Sequence, residues 1–413
     1  MILPTQFGKS LTVALAVIVR SVLYGEKTLI VAPSEKKAKI IMGYVIDHIG
    51  DNVLFRSQLE VDNKDTYDRL KRERSKNRLT FKSGGEIMTL TLDSRNSKKS
   101  LEAAMGFGVG DNGNVILDES SLIEDSLYAS VKRMVGGKNA MLFEIGNPFY
   151  RNHFHKTFNN DGRYFKLFAN HETAIKEGRF TQEFIDEMKE EAFFDVYYEC
   201  KFPSEQIVDD KGYRQLIITE DLHISEKDKV KPIGNLLKVG IDVGGGGDYN
   251  TFIGRWQNIA KVLYKTKTSD TMSNVGVIQE ILKDYPNLRD EDINIDDIGI
   301  GRGVRDRCHE LGILVTGVAV GSTEAVDTEK YMNIKAQCSW ELRVWLKQGK
   351  YLEQHEDNYR SVWEQCLWIK YKANSDKQVK IEPKEELKKR NGKSPDFFEG
   401  LMLSFYEPPY RGF

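Results

Sequence analysis

Short apolar runs that alternate with helical patterns constrain this chain more than any other feature of its sequence. Thr28-Leu-Ile-Val-Ala32 reads as a buried strand, and Lys36 to Ile49 as an amphipathic helix. Glu86 to Leu92, Asn114 to Asp118 and Ala140 to Ile145 read as further strands. Strands separated by helices argue for a mostly parallel α/β sheet. An acidic, aromatic helical stretch follows from Thr181 to about Cys200, and Pro203 to Gly234 reads as a connector with a small ordered insertion. Leu236 to Ile241 opens a second α/β unit, with strands expected at 251–256, 292–298 and 313–320 and helices at 274–284, 331–348 and 395–406. A chain of 413 residues exceeds one ordinary core, so two domains are expected, over 1–205 and 234–413, joined by 206–233.

Charge narrows the possible partners. With 60 basic against 62 acidic residues, the surface as a whole is not a polyanion grip, so any nucleic-acid contact must be local. Arg69 to Arg78 and Lys388 to Lys393 are the two basic stretches that qualify, although either also fits a solvated helix face or loop. No window approaches the roughly 18 uninterrupted apolar residues of a membrane span, and the first residues lack the pattern of a signal peptide. The four cysteines are far apart without a CxxC pair, which points to reduced thiols and away from zinc.

Two sets of residues carry chemistry. In the first, Gln6-Phe7-Gly8-Lys9-Ser10 opens an apolar helix. Backbone N–H groups around Gly8 would face phosphates, Lys9 would reach the β and γ oxygens, and Ser10 would hold Mg²⁺ at a helix N-terminus. The full phosphate-loop pattern wants a glycine where this chain has Leu3, and Gly-Lys-Ser alone is weak. Its expected partner is Val115-Ile-Leu-Asp118-Glu119, an apolar strand ending in two acids: Asp118 for Mg²⁺ and Glu119 to orient or deprotonate the attacking water. Gly146-Asn147-Pro148 ends the next strand and reads either as a γ-phosphate sensor or simply as turn chemistry. Together these predict an ATPase.

The second set is acidic. Val239-Gly-Ile-Asp242 is followed by four glycines and Asp248; Ile293-Asn-Ile-Asp296 also precedes glycines; Asp396 and Glu399 share a face at the start of the last helix. Acids from separated elements are what a two-metal nuclease needs, since gathered carboxylates repel one another without cations. Asp396 also fits a plain helix cap.

Taken in order, these motifs resemble the large terminase subunits of tailed bacteriophages over nearly the whole length. The resemblance implies an ASCE-type P-loop ATPase domain followed by an RNase H-like nuclease domain. It implies ATP hydrolysis by Lys9, Ser10, Asp118 and Glu119, and a coupling motif at Gly146 and Asn147. It implies metal binding by Asp242, Asp296 and Asp396, with Asp248 nearby and Glu399 where the family usually has a second aspartate. ATP with Mg²⁺, and two Mg²⁺ or Mn²⁺ ions in the nuclease, are the implied cofactors. Double-stranded DNA, the portal protein of the procapsid, a small terminase subunit and a homo-oligomeric ring are the implied partners, in the host cytoplasm at the portal vertex and not on a membrane. Ring ATPases of this kind also need an arginine from a neighbouring subunit; Arg133 is the first choice, Arg151 and Arg95 the alternatives. The chain begins almost at the phosphate loop, so the family's adenine-contacting segment and the strand leading into the loop are expected to be missing. A cellular repair or restriction ATPase-nuclease, or a non-catalytic DNA-binding assembly protein, are the competing readings.

Overall fold

A computed structural model describes residues 1–60, 78–92, 108–189, 191–204, 208–209, 211–324, 326–357 and 360–408. The chain forms two compact units, Met1–Glu205 and Gln206–Phe413.

In the first unit the elements are α1 (Lys9–Tyr24), β1 (Lys27–Ala32), α2 (Glu35–Asp51), β2 (Arg78–Thr80), β3 (Glu86–Thr91), β4 (Asn114–Leu117), α3 (Asp125–Met134), β5 (Met141–Glu144) and α4 (His153–Asn160). The sheet order is β2-β3-β1-β4-β5, parallel throughout except for the β2–β3 pair. Alternate strand residues serve opposite faces, as a strand period of two requires. Ile30, Ile87 and Ile116 pack with Val17 and Ile18 of α1 and Ile41 and Val45 of α2. Leu29, Val31, Val115 and Leu117 pack with Leu127 and Val131 of α3. Both faces are therefore covered, which is why these strands read as continuous apolar runs rather than alternating ones.

Before the loop, residues 1–3 run beside the end of β5, with Ile2 in an isolated bridge to Phe168 and no strand of their own. The Met1 ammonium donates to Glu144 O (2.6 Å), the Gly146 N–H donates to Met1 O (3.3 Å), and Ile2 pairs with Leu167 and Ala169 on its other side. Residues 1–3 thus lie on the outer side of β5, which itself pairs with β4.

The second unit contains β6 (Arg214–Gln215), β7 (His223–Ser225), β8 (Lys238–Asp242), β9 (Asn250–Arg255), β10 (Ile259–Thr266), α5 (Thr271–Asp284), β11 (Ile293–Asp296), α6 (Ile300–Glu310), β12 (Thr316–Val318), α7 (Ile334–Lys347), β13 (Tyr351–Glu353), β14 (Lys370–Ala373), β15 (Val379–Ile381), α8 (Lys384–Asn391) and α9 (Asp396–Leu403). Its main sheet has the order β12-β11-β8-β9-β10-β13-β7, with β8, β9 and β10 antiparallel and β11 and β12 parallel to β8. Residues 206–233, read as a connector, supply β7 to this sheet and β6 to a smaller one with β14 and β15. Two or three residues are too few for a period to show, so these strands owe their existence to their neighbours.

One face of the main sheet packs on α5 and α6 through Val239, Ile241, Ile278, Ile281, Ile295 and Val304. On β8 and β9 also lies α9, which is buried along its whole length, its two acids included. Contact there is made backbone to backbone. A Cβ at Gly240 would overlap the Gly400 carbonyl oxygen, and one at Gly400 would stand 2.6 Å from Thr251 Oγ1. Among the described residues no helix is long and apolar enough to cross a membrane.

A methyl group at Gly400 has to displace the Thr251 side chain, which is tied to the Asp396 carbonyl, and the buried Ile253, so Gly400→Ala is expected to destabilise the second unit by about 1–3 kcal/mol. Urea denaturation checks this, and an unchanged midpoint would show that α9 has room to move.

Candidate active sites

At the first site, the chain turns sharply twice before α1. Gln6 (φ 62°) and Gly8 (φ 90°) are both left-handed, which brings Lys9 to the first position of the helix. Gln6 and Gly8 are exposed and Phe7, Lys9 and Ser10 half-buried, so the loop is open to a ligand. The Lys9 ammonium folds back over the loop, donating to Leu3 O (2.6 Å), Pro4 O (3.0 Å) and Asn147 Oδ1 (3.3 Å).

Asp118 and Glu119, at the end of β4, are both buried. The Glu119 N–H donates to Asp118 Oδ1 (3.1 Å), and Glu119 itself takes a left-handed backbone (φ 51°). The Gly146-Asn147 turn lies directly against this pair. A Cβ at Gly146 (φ 151°) would press on Glu119 Cα at 3.0 Å, so glycine is required for the approach. Asn147 is fully buried, with Nδ2 donating to Leu3 O (3.2 Å) and Val196 O (3.3 Å), and its carbonyl accepting from Ser121 Oγ (2.6 Å). Lys9, Asn147, Gly146, Glu119 and Asp118 are thus linked in one chain of contacts, with Asn147 touching the loop lysine itself.

Arg133 stands on α3 with its guanidinium donating to Ser130 Oγ on the same helix (3.0 Å). Arg95 and residues 69–77 of the first basic stretch lie outside the described residues.

A buried polar network behind this turn was not foreseen. Glu144, the last residue of β5, accepts from Ser120 Oγ (2.7 Å) and Tyr128 OH (3.0 Å). His153 lies 3.1 Å from Ser120 Oγ and 3.0 Å from Asp125 Oδ1, and stacks on Tyr128 at 3.8 Å. Burial pushes the His153 imidazole below its ordinary range, against the opposing pull of Glu144 and Asp125. An acid closing β5 was visible in the sequence, but nothing marked a histidine nine residues further on as its neighbour. Arg179 was missed as well; its guanidinium lies over the Phe7 ring at 4.5 Å.

At the second site, β8 ends at Asp242 and the adjacent β11 at Asp296, while the close approach of α9 to β8 and β9 delivers Asp396 and Glu399. Asp242, Asp396 and Glu399 are buried. Asp396 Oδ2 accepts from the Tyr249 N–H (2.8 Å), and the Asp396 carbonyl accepts from Thr251 Oγ1 (2.9 Å). Asp396 Oδ1 and Asp296 Oδ1 are buried without a hydrogen-bond partner. Asp248 is half-exposed and paired to Lys388 (3.0 Å), at the rim. Asp297, beside Asp296, is turned to Arg305 (2.5 Å).

Two lysines enter the group. Lys335 reaches Glu399 Oε1 at 2.6 Å, and Lys384 stands 3.9 Å from Asp242 Oδ2. Burial raises Asp242 well above the carboxylate range, Glu399, Asp396 and Asp296 adding to it and Lys384 opposing. Burial, with Glu399, pushes Asp296 up to about 6. Burial also raises Asp396, although the Tyr249 N–H works against it. Glu399 is held below its ordinary value, because Lys335 and Lys384 outweigh its burial. Among the described residues no three or more acidic, imidazole or thiol groups form a ready metal cage. Orphaned carboxylate oxygens on Asp296 and Asp396, in an all-oxygen donor set, nevertheless fit a hard divalent ion.

No protein-family model and no curated protein sequence matches this chain. Solved structures that it resembles include large terminases. One, from a thermophilic bacteriophage in complex with ADP, is 11% identical over 100% of this chain and 94% of that one, with a TM-score of 0.45. The bacteriophage HK97 large terminase is 11% identical over 98% of this chain and 90% of that one, at a TM-score of 0.32. The ATPase domain of the Thermus phage P74-26 large terminase is 18% identical over 49% of this chain and 87% of that one, at a TM-score of 0.39. At such values residue roles do not transfer, and they rest on this chain's own geometry.

The carboxylate electrostatics have a sign that can be measured. Because the folded value for Asp296 lies above the unfolded one, folding favours its protonated form. The associated stability is present below about pH 4 and lost as pH rises through about 6. In EDTA, Asp296→Asn is therefore expected to gain on the wild type by on the order of 2 kcal/mol between pH 4 and pH 7.5, read from paired denaturation curves. A pH-independent difference would mean that Asp296 is solvated.

Proposed function

We propose that this chain is an ATP-driven DNA-packaging motor of the large-terminase kind, whose second unit is a divalent-metal-dependent DNA nuclease. The observation that carries the reading is the conjunction, in one chain, of a phosphate loop whose lysine touches Asn147 beside Asp118 and Glu119, and a buried carboxylate centre with orphaned oxygens. A cellular repair or restriction enzyme would share both centres, but the sequence lacks the further arginine-bearing motifs of helicase-type enzymes.

In the first unit, the N-terminus of α1 and the loop N–H groups suit the phosphates of ATP, with Lys9 exchanging its carbonyl partners for phosphate oxygens. Ser10 and Asp118 would hold the nucleotide's Mg²⁺, and Glu119 would orient the attacking water. When the γ-phosphate leaves, Lys9 loses an acceptor and returns to Asn147, and this exchange is the coupling step. Arg133 would serve the neighbouring subunit of a ring. In the second unit a bound divalent ion supplies a nucleophilic water and stabilises the departing oxygen. Asp242, Asp296 and Asp396 would hold it. Portal protein and a small terminase subunit are the proposed partners.

The test of the ATPase and nuclease is direct. Glu119→Gln should lower ATP turnover by about 10²–10⁴-fold while leaving plasmid cleavage in Mn²⁺ intact. Asp242→Asn should abolish cleavage and leave ATP turnover intact. Loss of neither activity, or cleavage that survives Asp242→Asn, would sink the assignment.

DNA contact can be narrowed too. In the stretch 388–393, Lys388 is paired to Asp248 and Arg390 to Glu382 and the Trp368 carbonyl, which leaves Lys389 and Lys393, both exposed. Replacing both with Gln should flatten the salt dependence of duplex binding by about 0.9 for each phosphate contact removed. An unchanged slope would move the contact elsewhere.

A further inference from the structure

The turn between Asp242 and Asp248 contains more glycine than its fold requires. Gly246 is left-handed (φ 86°), and a Cβ at Gly244 would stand 2.6 Å from the Asp248 carbonyl oxygen, so both positions exclude a side chain. Gly245 and Gly247 meet neither condition, and both are exposed. Among the described residues nothing lies within 4 Å of a Cβ at Gly247, and only the Ile300 side chain, at 3.6 Å, approaches one at Gly245. Two bare peptide units therefore face outward with no packing reason, the form a backbone takes where a ligand has to come close.

Beside this turn stands an ammonium group without a carboxylate. Asn250, fully buried at the start of β9, accepts from the Gly244 N–H (2.6 Å) and donates to Thr268 O (2.8 Å). One side chain thus ties the glycine turn to the segment that follows β10. In that segment Lys267 is exposed, and its Nζ lies 4.4 Å from the centre of the Tyr249 ring. Lys265 lies over the same ring at 5.4 Å but is engaged by Asp357 Oδ1 (3.3 Å), whereas Lys267 makes no ion pair among the described residues. Tyr249 is itself fixed at both ends: its N–H donates to Asp396 Oδ2 (2.8 Å) and its OH to Asp357 Oδ1 (2.9 Å). The ring therefore holds an uncommitted cation one residue's reach from the carboxylate centre.

A polyanion approaching a cluster of carboxylates needs a cation on its path, and a phosphate oxygen needs donors that are not already spent. We propose that Lys267, seated on Tyr249, and the outward backbone of Gly245 and Gly247 bind a phosphate of the DNA strand that neighbours the one to be cut. The site rests on the nuclease reading and extends it along the strand. Lys267 is the phosphate-binding group. Tyr249 is a positioning residue, which orders a long side chain before DNA arrives and so lowers the entropy lost on binding. A contact of this kind sets register on the duplex and selects no sequence.

Full-length wild type, Lys267→Gln, Tyr249→Leu, Tyr249→Phe and Gly247→Ala are compared on a fluorescent DNA duplex, in EDTA for binding and in Mn²⁺ for cleavage. Bis(4-nitrophenyl) phosphate, a diester with no neighbouring phosphate, serves as the second substrate. Lys267→Gln should lower the slope of log Kd against log salt by about 0.9. It should also lower the ratio of kcat/KM for the duplex to that for the small diester by about tenfold, through KM. Tyr249→Leu should move both quantities in the same direction, and Tyr249→Phe should restore them, because the ring carries the lysine. Gly247→Ala should weaken duplex binding at least about threefold without lowering Tm, since its methyl group meets nothing in the protein. An unchanged slope in Lys267→Gln, an equal loss on both substrates, or a Gly247→Ala that binds like the wild type overturns the proposal while the nuclease reading stands. If the wild type cuts neither substrate, the nuclease reading falls, and the slope alone decides for or against the phosphate site.

Discussion

The chemistry of the second unit depends on how closely α9 lies against β8 and β9. Gly240 and Gly400 leave no side chain between strand and helix, and the strand backbone therefore meets the helix backbone directly. A helix held off by side chains would place Asp396 and Glu399 ångströms further from Asp242. At the observed contact the four acids share one low-dielectric neighbourhood, and the consequences follow from electrostatics alone. Burial raises three of them, and the fourth stays low because it alone has a lysine in hydrogen-bond contact. The packing that builds the site thus also destabilises it, and cations of one kind or another are the means of relief.

Much of this was legible in the sequence, for reasons that differ from residue to residue. Asp242 announced itself because an acid after a buried apolar run, followed by four glycines, has no packing purpose. Asp118, Glu119 and Asn147 were legible as polar endings of successive parallel strands, the edge where parallel α/β sheets present their ligand-binding groups. Lys335 and Lys384 were not legible. Lys335 sits on an amphipathic helix and Lys384 at the start of a short, charged one, where a lysine reads as a solvated face, and only the tertiary approach of α7 and α8 turns each toward an acid. Gly240 was hidden for the opposite reason: a glycine inside a strand looks like a weakness until its partner, 160 positions away at Gly400, is seen. Likewise β10 was missed because its turn from β9, Gln257-Asn258, lacks the glycine that marks a tight hairpin.

The two sites answer the same problem, charge waiting for a ligand, with opposite signs. At the carboxylate centre the protein holds an excess of negative charge and fills part of the gap with lysines of its own. At the phosphate loop it holds a positive charge, and Lys9 is given temporary acceptors in Leu3 O, Pro4 O and Asn147 Oδ1. Those acceptors carry no formal charge, so an anionic phosphate oxygen would compete with them for the Lys9 ammonium. Asn147 is no bystander in that exchange. Its amide is also bonded to Leu3 and Val196, and its carbonyl to Ser121, just beyond the acids of β4. Any shift of Lys9 between phosphate and Asn147 therefore pulls on the loop, on the acid turn and on the helix ending at Tyr197 together. If the chain is the proposed ATP-driven motor, Asn147 would be its shared part, because energy released at the γ-phosphate does work only if a group that feels the phosphate is also wired to the backbone that moves.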